Sequence, residues 1–311
     1  MVHKIGWNMQ KFAIVVHGGA GQDSDFIRKN IDGYKKGLRE AAGAGFILLK
    51  NGGTAIDAVE VAVNKLEDHP LFNAGKGSAL NEKGEVEMDA SIMDGKNRNA
   101  GAVCIVRNVK HPVSLAKIIL EKSKHTYVGS MGALKFAKEY GLKLMPDAYF
   151  VTEHAYQQYA DARAEEGKSL ELKTHGTVGC VALDQFGNIA AATSTGGTEN
   201  KSEGRIGDTS IIGTGTFAYN KTCAISCTGD GEYIIENVVA FQLSAIMKYK
   251  RLGLKEASDF LMQEELKNTS GDIGFIAIDV NGNFTMKFNS TRMHRAWMSS
   301  NGEEGVSIYN D

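Results

Sequence analysis

Two segments in the second half of the chain share a pattern that predicts β-hairpins. Residues 177–183 are apolar or small, Asp-Gln-Phe-Gly-Asn follows at 184–188, and a second apolar segment occupies 189–193. Residues 273–288 repeat this order around Asp-Val-Asn-Gly-Asn at 279–283. Apolar runs that are joined by Asp, Asn and Gly are typical of strands connected by tight turns. The two units together predict an antiparallel sheet built from similar hairpins.

The remaining elements are grouped rather than strictly alternating. An apolar run at 12–17 predicts a strand that is buried on both faces. Thr54, with Asp57 three positions later, indicates an N-cap for a helix that ends before Pro70. This grouping favours layered α+β packing over a doubly wound parallel sheet. We expect further helices over residues 25–50, 113–123, 129–140 and 232–248.

The stretch 146–175 has a different character. Positions 161–173 carry seven charges in thirteen residues, and no strong apolar face runs through them. A segment that has little apolar surface to bury does not offset its conformational entropy. We therefore predict a solvated linker or mobile tail here.

Charge and composition exclude several classes of function. The 311 residues include 35 basic and 37 acidic side chains, which argues against nucleic acid or an anionic membrane as the main partner. No apolar run approaches the roughly 18 residues that a membrane helix needs, and residues 1–10 have no apolar signal region. Four cysteines without CxxC spacing favour neither a disulfide scaffold nor zinc. We predict a soluble, cytoplasmic globular protein.

Several common catalytic motifs are absent from the sequence. It contains no Gly-x-Ser-x-Gly elbow, no phosphate-binding P-loop and no dinucleotide-binding glycine motif after a strand. Its eight histidines form no HExxH or HxH pair. We therefore expect no organic cofactor and no transition-metal site.

Threonines and glycines instead recur in four short fragments that follow the charged stretch. Each fragment alone has an ordinary structural explanation, because a Thr that opens a strand is a common β-former and Thr-Gly-Gly is a common turn. Arg205 and Asp208, three positions apart, would by themselves suggest a surface ion pair of little energetic value. The fragments cover residues 175–179, 193–197, 204–208 and 227–231.

The order and spacing of these fragments give them a different meaning. The sequence resembles the plant-type (type III) asparaginase/isoaspartyl dipeptidase family of N-terminal-nucleophile hydrolases, almost from end to end. The resemblance implies a four-layer αββα sandwich, formed by a single domain over residues 1–311. It rests on the motifs at residues 16–20, 70–75, 88–94, 176–179, 193–197, 204–208 and 226–229.

The resemblance also implies that the chain cuts itself between Gly176 and Thr177. Residues 1–176 would form an α subunit and residues 177–311 a β subunit. A threonine hydroxyl is a weak nucleophile near neutral pH and needs an adjacent base. An internal Thr has only a non-basic amide, whereas a freed α-amine has a reference pKa of about 7.7–8.0. The cut therefore supplies the base, and no histidine is needed.

The family pattern assigns roles to individual residues. Thr177 would be the nucleophile and, through its amine, the base, and Thr195 would orient it. Arg205 would bind the substrate α-carboxylate and Asp208 the α-ammonium, which selects a free α-amino acid head group.

A second group of residues would complete the site. Thr228, through its hydroxyl, and Gly229, through its backbone N–H, would form the oxyanion hole. Both would also contact substrate, together with Gly231. Asn73 would steady the nucleophile loop.

The family further implies a loop whose backbone carbonyls bind an alkali cation, sodium or potassium. The matching loop contains Lys76 where we expect an apolar residue, and an ammonium there would weaken a cation site unless it points outward. An ordinary helix-to-strand loop remains the alternative. The candidate carbonyls are those of Leu66, Glu67, His69, Phe72, Ala74 and Lys76.

We interpret the chain as a hydrolase of L-asparagine and β-aspartyl dipeptides that assembles as a homodimer of αβ heterodimers. A glycosylasparaginase is the alternative enzyme, but the sequence has no apolar signal region and has Gly rather than Asp before Thr177. A threonine aspartase that acts on proteins is a weaker one. An uncleaved interaction protein is the non-enzymatic alternative, and the intact Thr177, Thr195, Arg205, Asp208 and Thr228 argue against it.

Overall fold

The strands form two sheets in the computed structural model, which describes residues 11–164 and 176–310. The larger sheet has the strand order β12-β11-β1-β5-β6-β2-β3-β4, and the smaller one has β10-β9-β8-β7. The strands are β1 (Ala13–Gly21), β2 (Met88–Asp94), β3 (Ala100–Val106), β4 (Tyr127–Gly129), β5 (Val178–Leu183), β6 (Ile189–Thr195), β7 (Thr216–Ala218), β8 (Ala224–Gly229), β9 (Ile273–Ile278), β10 (Phe284–Phe288), β11 (Arg292–Ser299) and β12 (Glu304–Ser307).

The helices lie in two groups, one before β5 and one between β8 and β9. A single π-helical turn follows the last of them at Leu261–Glu265. The helices are α1 (Asp25–Lys29), α2 (Ile31–Lys50), α3 (Ala55–Glu67), α4 (Pro112–Lys122), α5 (Ser130–Glu139), α6 (Asp147–Phe150), α7 (Glu153–Ala164), α8 (Gly231–Glu236), α9 (Val239–Lys250) and α10 (Leu254–Phe260).

Strand β1 separates two hydrophobic clusters. Ile14 and Val16 belong to a cluster that contains the apolar faces of α2, α3 and α4. Val15, on the opposite face, packs in a cluster with residues of the smaller sheet and of α9 and α10. Alternate residues of a strand point to opposite faces, so a strand buried on both sides needs an unbroken apolar sequence. The prediction of such a strand at 12–17 is confirmed, and the fold is α+β.

Helix α3 begins as its sequence indicates. The Thr54 side chain accepts a hydrogen bond from the Asp57 backbone N–H at 3.3 Å, which satisfies one of the unpaired donors at a helix start. Val59, Val63 and Leu66 are fully buried on one face. The helix ends at Glu67, and the loop that follows it contains Asn73, which donates a hydrogen bond to the Gly176 carbonyl.

Both predicted hairpins are confirmed, and their turns have the same construction. The Asp184 carboxylate accepts from the backbone N–H groups of Phe186 and Asn188 at 2.9 Å. Asp279 accepts from those of Asn281 and Asn283 at 2.8 and 3.0 Å. The hairpins nevertheless lie in different sheets, so the expectation of one sheet built from both is wrong. Local turn chemistry fixes a hairpin but not its neighbours.

The prediction of a solvated linker over 146–175 is wrong for its first part. Helices α6 and α7 occupy this stretch up to Ala164, and Phe150 is buried against Leu80 and Met88. Tyr149, Val151 and Tyr159 pack against the same cluster, so a few apolar and aromatic side chains anchor a segment whose average composition is polar. Residues 165–175 lie outside the described part of the chain. None of the described helices combines the length and apolar character needed to cross a membrane.

Candidate active site

The threonine pair of the site is created by the β5–β6 hairpin. Val178 pairs with Ser194 in the register of these strands, which places Thr177 next to Thr195 at their open end. The Thr177 hydroxyl donates a hydrogen bond to the Thr195 Oγ at 3.3 Å. Both side chains are buried, with 6% and 3% exposure. A nucleophile in this position is oriented by the sheet rather than by a mobile loop.

The carbonyl of Gly176, directly before Thr177, receives two hydrogen bonds. Asn73 donates through Nδ2 at 2.8 Å and Thr195 through its hydroxyl at 3.1 Å. The Asn73 amide is itself held, because its Oδ1 accepts from the Ala79 backbone N–H at 2.7 Å. Donors in this arrangement polarise the carbonyl and would stabilise an oxyanion on it. The scissile bond predicted from the sequence therefore lies in a polarising environment.

A small cavity adjoins Thr177. It contains most of the residues predicted from the sequence, drawn from the ends of β5, β6 and β8 and from the loop before β7. Asn73 donates hydrogen bonds to the carbonyls of two lining residues, Gly176 and Gly197, whereas Thr228 is not among the residues that line the cavity. The cavity is lined by Gly176, Thr177, Thr195, Gly197, Thr198, Arg205, Gly207, Asp208, Gly229 and Gly231.

The guanidinium of Arg205 is already engaged by a carboxylate of the same chain. Its Nε and Nη2 donate to Glu232 at 2.9 and 2.7 Å. Two parallel bonds of this kind are the arrangement in which arginine also binds a free carboxylate. The sequence analysis did not identify Glu232. The only indication in the sequence is that an acidic residue directly follows Gly231.

Asp208 is fully enclosed beside this pair. Burial raises its pKa from 3.8 to about 7, although the nearby Arg205 acts in the opposite direction. Among the described residues, its Oδ2 has no hydrogen-bond partner. A Cβ on Gly231 would lie 3.0 Å from both the Arg205 Nη2 and the Asp208 Oδ1. Glycine at 231 thus leaves the space in which the two charged side chains meet.

Thr228 and Gly229 end strand β8, and Gly229 lines the cavity. The Thr228 hydroxyl accepts from the Ala20 backbone N–H at 3.1 Å, which leaves its own hydrogen available to donate. Gly229 has φ +132°, and a Cβ there would lie 2.1 Å from the Asp272 carbonyl oxygen. Only glycine fits this position, and it keeps the backbone open towards the cavity.

The sequence analysis also did not identify His17, a buried histidine next to Thr177. His17 bonds through Nε2 to the Ser226 hydroxyl at 2.9 Å. Burial lowers its pKa to about 3, despite a backbone hydrogen bond with Thr177 that acts in the opposite direction. The ring is therefore neutral at physiological pH. From Ser226 a chain of buried hydroxyls continues between the sheets through Thr193, Thr216 and Ser91.

Lys201 holds the turn that follows Thr195. It is buried, and its Nζ donates to the carbonyls of Glu87 and Gly196 at 2.7 and 3.0 Å. Burial lowers the pKa of Lys201, and Asp89, whose own pKa is raised by burial, acts in the opposite direction. No local sequence pattern indicates this pair, because its members meet only through tertiary packing.

The predicted cation loop, residues 66–76, contains Asn73 and turns tightly. The Lys76 backbone N–H donates to the Glu67 carbonyl at 2.8 Å, and Gly75, with φ +55°, has no room for a Cβ against that carbonyl. The Lys76 ammonium lies 5.7 Å from the Tyr149 ring centroid, so it packs over an aromatic ring of α6. Carbonyl oxygens are neutral hard donors and fit an alkali cation in kind. The described residues contain no cluster of three or more His, Cys, Asp or Glu side chains suited to a metal ion.

The combination of this site with two central sheets agrees with a comparison against known families. The model of the family described as asparaginase matches residues 10–308. The chain belongs to the asparaginase family.

Curated relatives align over nearly its whole length. A protein of Arabidopsis thaliana named probable isoaspartyl peptidase/L-asparaginase 2 is 40% identical, over 97% of this chain and 100% of the relative. An isoaspartyl peptidase of Salmonella typhimurium has the same identity and coverage. An isoaspartyl peptidase/L-asparaginase of Bos taurus is 42% identical over 90% of this chain and 91% of its own. The resemblance stated from the motifs is thus confirmed at the level of the family.

Proposed function

We propose that the protein is a threonine hydrolase that cuts itself between Gly176 and Thr177 and then hydrolyses L-asparagine and β-aspartyl dipeptides. The observation that carries the proposal is the position of the Thr177 hydroxyl. It bonds to Thr195 next to a doubly hydrogen-bonded Gly176 carbonyl, and it faces the cavity that contains Arg205 and Asp208. The names of the relatives, which include both activities, support the same assignment.

Self-cleavage would begin with attack of the Thr177 Oγ on the Gly176 carbonyl carbon. The negative charge that develops on the carbonyl oxygen would be stabilised by Asn73 and Thr195, which already donate to it. The C–N bond then breaks, the nitrogen takes up the proton, and water hydrolyses the ester that links Gly176 to the Thr177 oxygen. The products are the two subunits 1–176 and 177–311.

The freed amine of Thr177 would then serve as the base for the substrate reaction. Its reference pKa of about 7.7–8.0 lets it accept the hydroxyl proton near neutral pH. His17 does not compete for this role, because its pKa of about 3 leaves it without basic strength at pH 7.

The substrate head group would be held by opposite charges. Arg205 would take the α-carboxylate and Asp208 the α-ammonium, with Gly231 leaving room between them. The oxyanion of the β-carbonyl would be stabilised by the Thr228 hydroxyl and the Gly229 N–H. Ammonia or an amino acid leaves with the proton, and water releases aspartate from the Thr177 ester.

The same proposal includes the architecture and assembly. We propose that the two sheets and the two helix groups stack as an αββα sandwich, that αβ heterodimers pair, and that the enzyme acts in the cytoplasm. The division of β1 between two hydrophobic clusters supports the layering. An alkali cation bound to the loop of residues 66–76 would stabilise the backbone that positions Asn73.

Intact-mass spectrometry of the purified protein, before and after several days at 37 °C, tests the proposal. We expect two fragments that end at Gly176 and start at Thr177, and none from Thr177→Ala. Thr177→Ser keeps a hydroxyl and should still cut. The cut wild-type protein should release ammonia from L-asparagine.

Two results would contradict the proposal. An uncut chain after prolonged incubation would count against self-cleavage. Ammonia release by an uncut chain would remove the argument that a free amine is the base.

A further inference from the structure

A second and larger cavity lies on the other side of Gly176. Gly176 lines both cavities. Part of the wall of the larger cavity is apolar, from Ile27 and Leu71. The other part is polar and includes Tyr34, Glu199, Arg292 and His294. The role that we propose for the first cavity makes no use of this space.

Arg292 is the most unusual member of the wall. Arg292 is only 4% exposed, and its Nε donates a hydrogen bond to the Gln22 backbone carbonyl at 2.8 Å. Within residues 11–164 and 176–310, no Asp or Glu carboxylate forms an ion pair with it. Burial lowers the pKa of Arg292, whereas Asp23 and Asp272 favour its charge from a distance, so the guanidinium places a positive charge at this cavity without a carboxylate of the described residues in direct contact.

His294 and Tyr34 complete the polar wall. Their rings stack with centroids 4.3 Å apart. The His294 Nδ1 donates to the Gly18 carbonyl at 3.2 Å, which leaves a lone pair on Nε2. That atom is buried and has no hydrogen-bond partner in the described part of the chain. Burial raises the Tyr34 pKa to about 12, so its hydroxyl stays a donor.

This set of groups matches one end of an amino acid. A cation and a hydroxyl can bind a carboxylate, and the imidazole lone pair can accept from an adjacent N–H. The two substrates of the proposed function differ at this end. L-Asparagine releases ammonia, whereas a β-aspartyl dipeptide releases an amino acid that carries an α-carboxylate.

We propose that this cavity binds the leaving amino acid of β-aspartyl dipeptides, with Arg292 on its α-carboxylate and His294 Nε2 on its scissile N–H. The inference rests on the proposed function, because the cut at Gly176 is what would open the cavity to Thr177. The Thr177 Oγ forms its bond to the β-carbonyl carbon, the C–N bond breaks, and the nitrogen takes the proton. The amino acid leaves through this cavity before water hydrolyses the ester.

The test compares β-aspartyl-leucine with its C-terminal amide in the cut wild-type enzyme. A hydrogen-bonded ion pair contributes about 1.5–3 kcal/mol, so we expect kcat/KM to be roughly 10- to 100-fold higher for the free acid. In Arg292→Gln this preference should fall to about one, mainly through a higher KM for the acid. Arg292→Lys should keep part of the preference.

Arg295→Gln is the matched control. Arg295 lies on the same strand and is buried, but its guanidinium donates to the carbonyls of Met293 and Tyr309. This variant should keep the wild-type preference for the acid.

A wild-type enzyme that does not distinguish acid from amide would overturn the inference, even if Arg292→Gln does not fold. An Arg292→Gln enzyme with the wild-type preference would also overturn it. Failure of the proposed function looks different, because the chain then stays uncut and L-asparagine is not hydrolysed.

Discussion

The two sides of the Thr177 hydroxyl are prepared in different ways. On the side of the scissile bond, neutral donors from Asn73 and Thr195 already contact the Gly176 carbonyl. On the side of the substrate head group, Asp208 is buried, and the half-buried Arg205 is bound by the exposed Glu232 of the same chain. Under the proposed function, the uncut chain already holds two donors on the carbonyl that would be attacked, whereas a substrate carboxylate would have to share or displace Glu232.

The difference follows from the energetics of burial. A neutral hydrogen bond between buried groups costs little to maintain before it is used. The half-buried Arg205 guanidinium is paired with the exposed Glu232 carboxylate, and because an ion pair that solvent reaches contributes little, a substrate carboxylate can displace it at low cost. The buried Asp208 carboxyl is unfavourable to ionise, and its pKa is therefore raised to about 7. Three predictions test this contrast.

The largest effect is expected from Asn73→Asp. The new carboxylate can still accept from the Ala79 N–H but cannot donate to the Gly176 carbonyl. Loss of one oxyanion donor typically costs about 10²–10³-fold in rate, so self-cleavage should slow by that factor. The fraction of cut chain over time, measured by intact mass, gives the rate.

Asn81→Asp is the matched control for this substitution. The Asn81 Oδ1 accepts from the backbone N–H groups of Lys83 and Glu85, and an aspartate preserves both bonds away from Gly176. The control should cut at the wild-type rate. A wild-type rate in Asn73→Asp as well would show that the donors on the carbonyl do not drive cleavage.

The two sides of the site also differ in how far the sequence predicts them. Thr177 and Thr195 are predictable in position, because a hairpin register brings neighbours in a motif together. Glu232 and Arg292 are not predictable in this way. Their significance depends on which groups face them across tertiary contacts, and one sequence carries no record of that.

The fold shows the same division. The N-cap of α3 and both Asp-turn hairpins are local and were predicted correctly. The assignment of the hairpins to different sheets and the anchoring of residues 147–164 through Phe150 are non-local. Local hydrogen bonds can be inferred from spacing, whereas burial depends on distant partners.

The second prediction concerns Asp208 and pH. Its carboxylate must be ionised to hold the substrate ammonium, and burial raises its pKa to about 7. The Thr177 amine must also lose a proton, with a reference pKa of about 7.7–8.0. Below pH 7, log kcat/KM for L-asparagine should therefore fall with a slope of about two. In Asp208→Asn the slope should be about one, on a kcat/KM lowered mainly through KM.

Stability supplies an independent readout of the same group. The unfolded chain releases the Asp208 proton near pH 3.8 and the folded chain near pH 7. Its contribution to the free energy of unfolding is therefore full below pH 3.8 and is lost as pH rises through 7. Relative to wild type, Asp208→Asn should gain in melting temperature between pH 5 and pH 8. If the melting temperatures of Asp208→Asn and wild type differ by the same amount at every pH, and the slope of log kcat/KM is also unchanged, Asp208 is not the titrating group.

The smallest effect is expected from the removal of alkali cations. This change should affect the side of the scissile bond and leave the side of the substrate head group unchanged. The loop of residues 66–76 carries Asn73 but none of the head-group residues. A cation at 100 times its Kd stabilises the folded state by about 2.7 kcal/mol, which corresponds to roughly 5 °C in melting temperature. We expect that loss, with slower self-cleavage, when choline replaces Na⁺ and K⁺ at constant ionic strength. The KM for L-asparagine of previously cut enzyme should not change, because Arg205 and Asp208 lie on other elements. Identical melting in sodium, potassium and choline chloride would reduce the loop to an ordinary helix-to-strand connection, held by its own backbone hydrogen bonds, among them those from Lys76 to Glu67 and from Phe72 to His69.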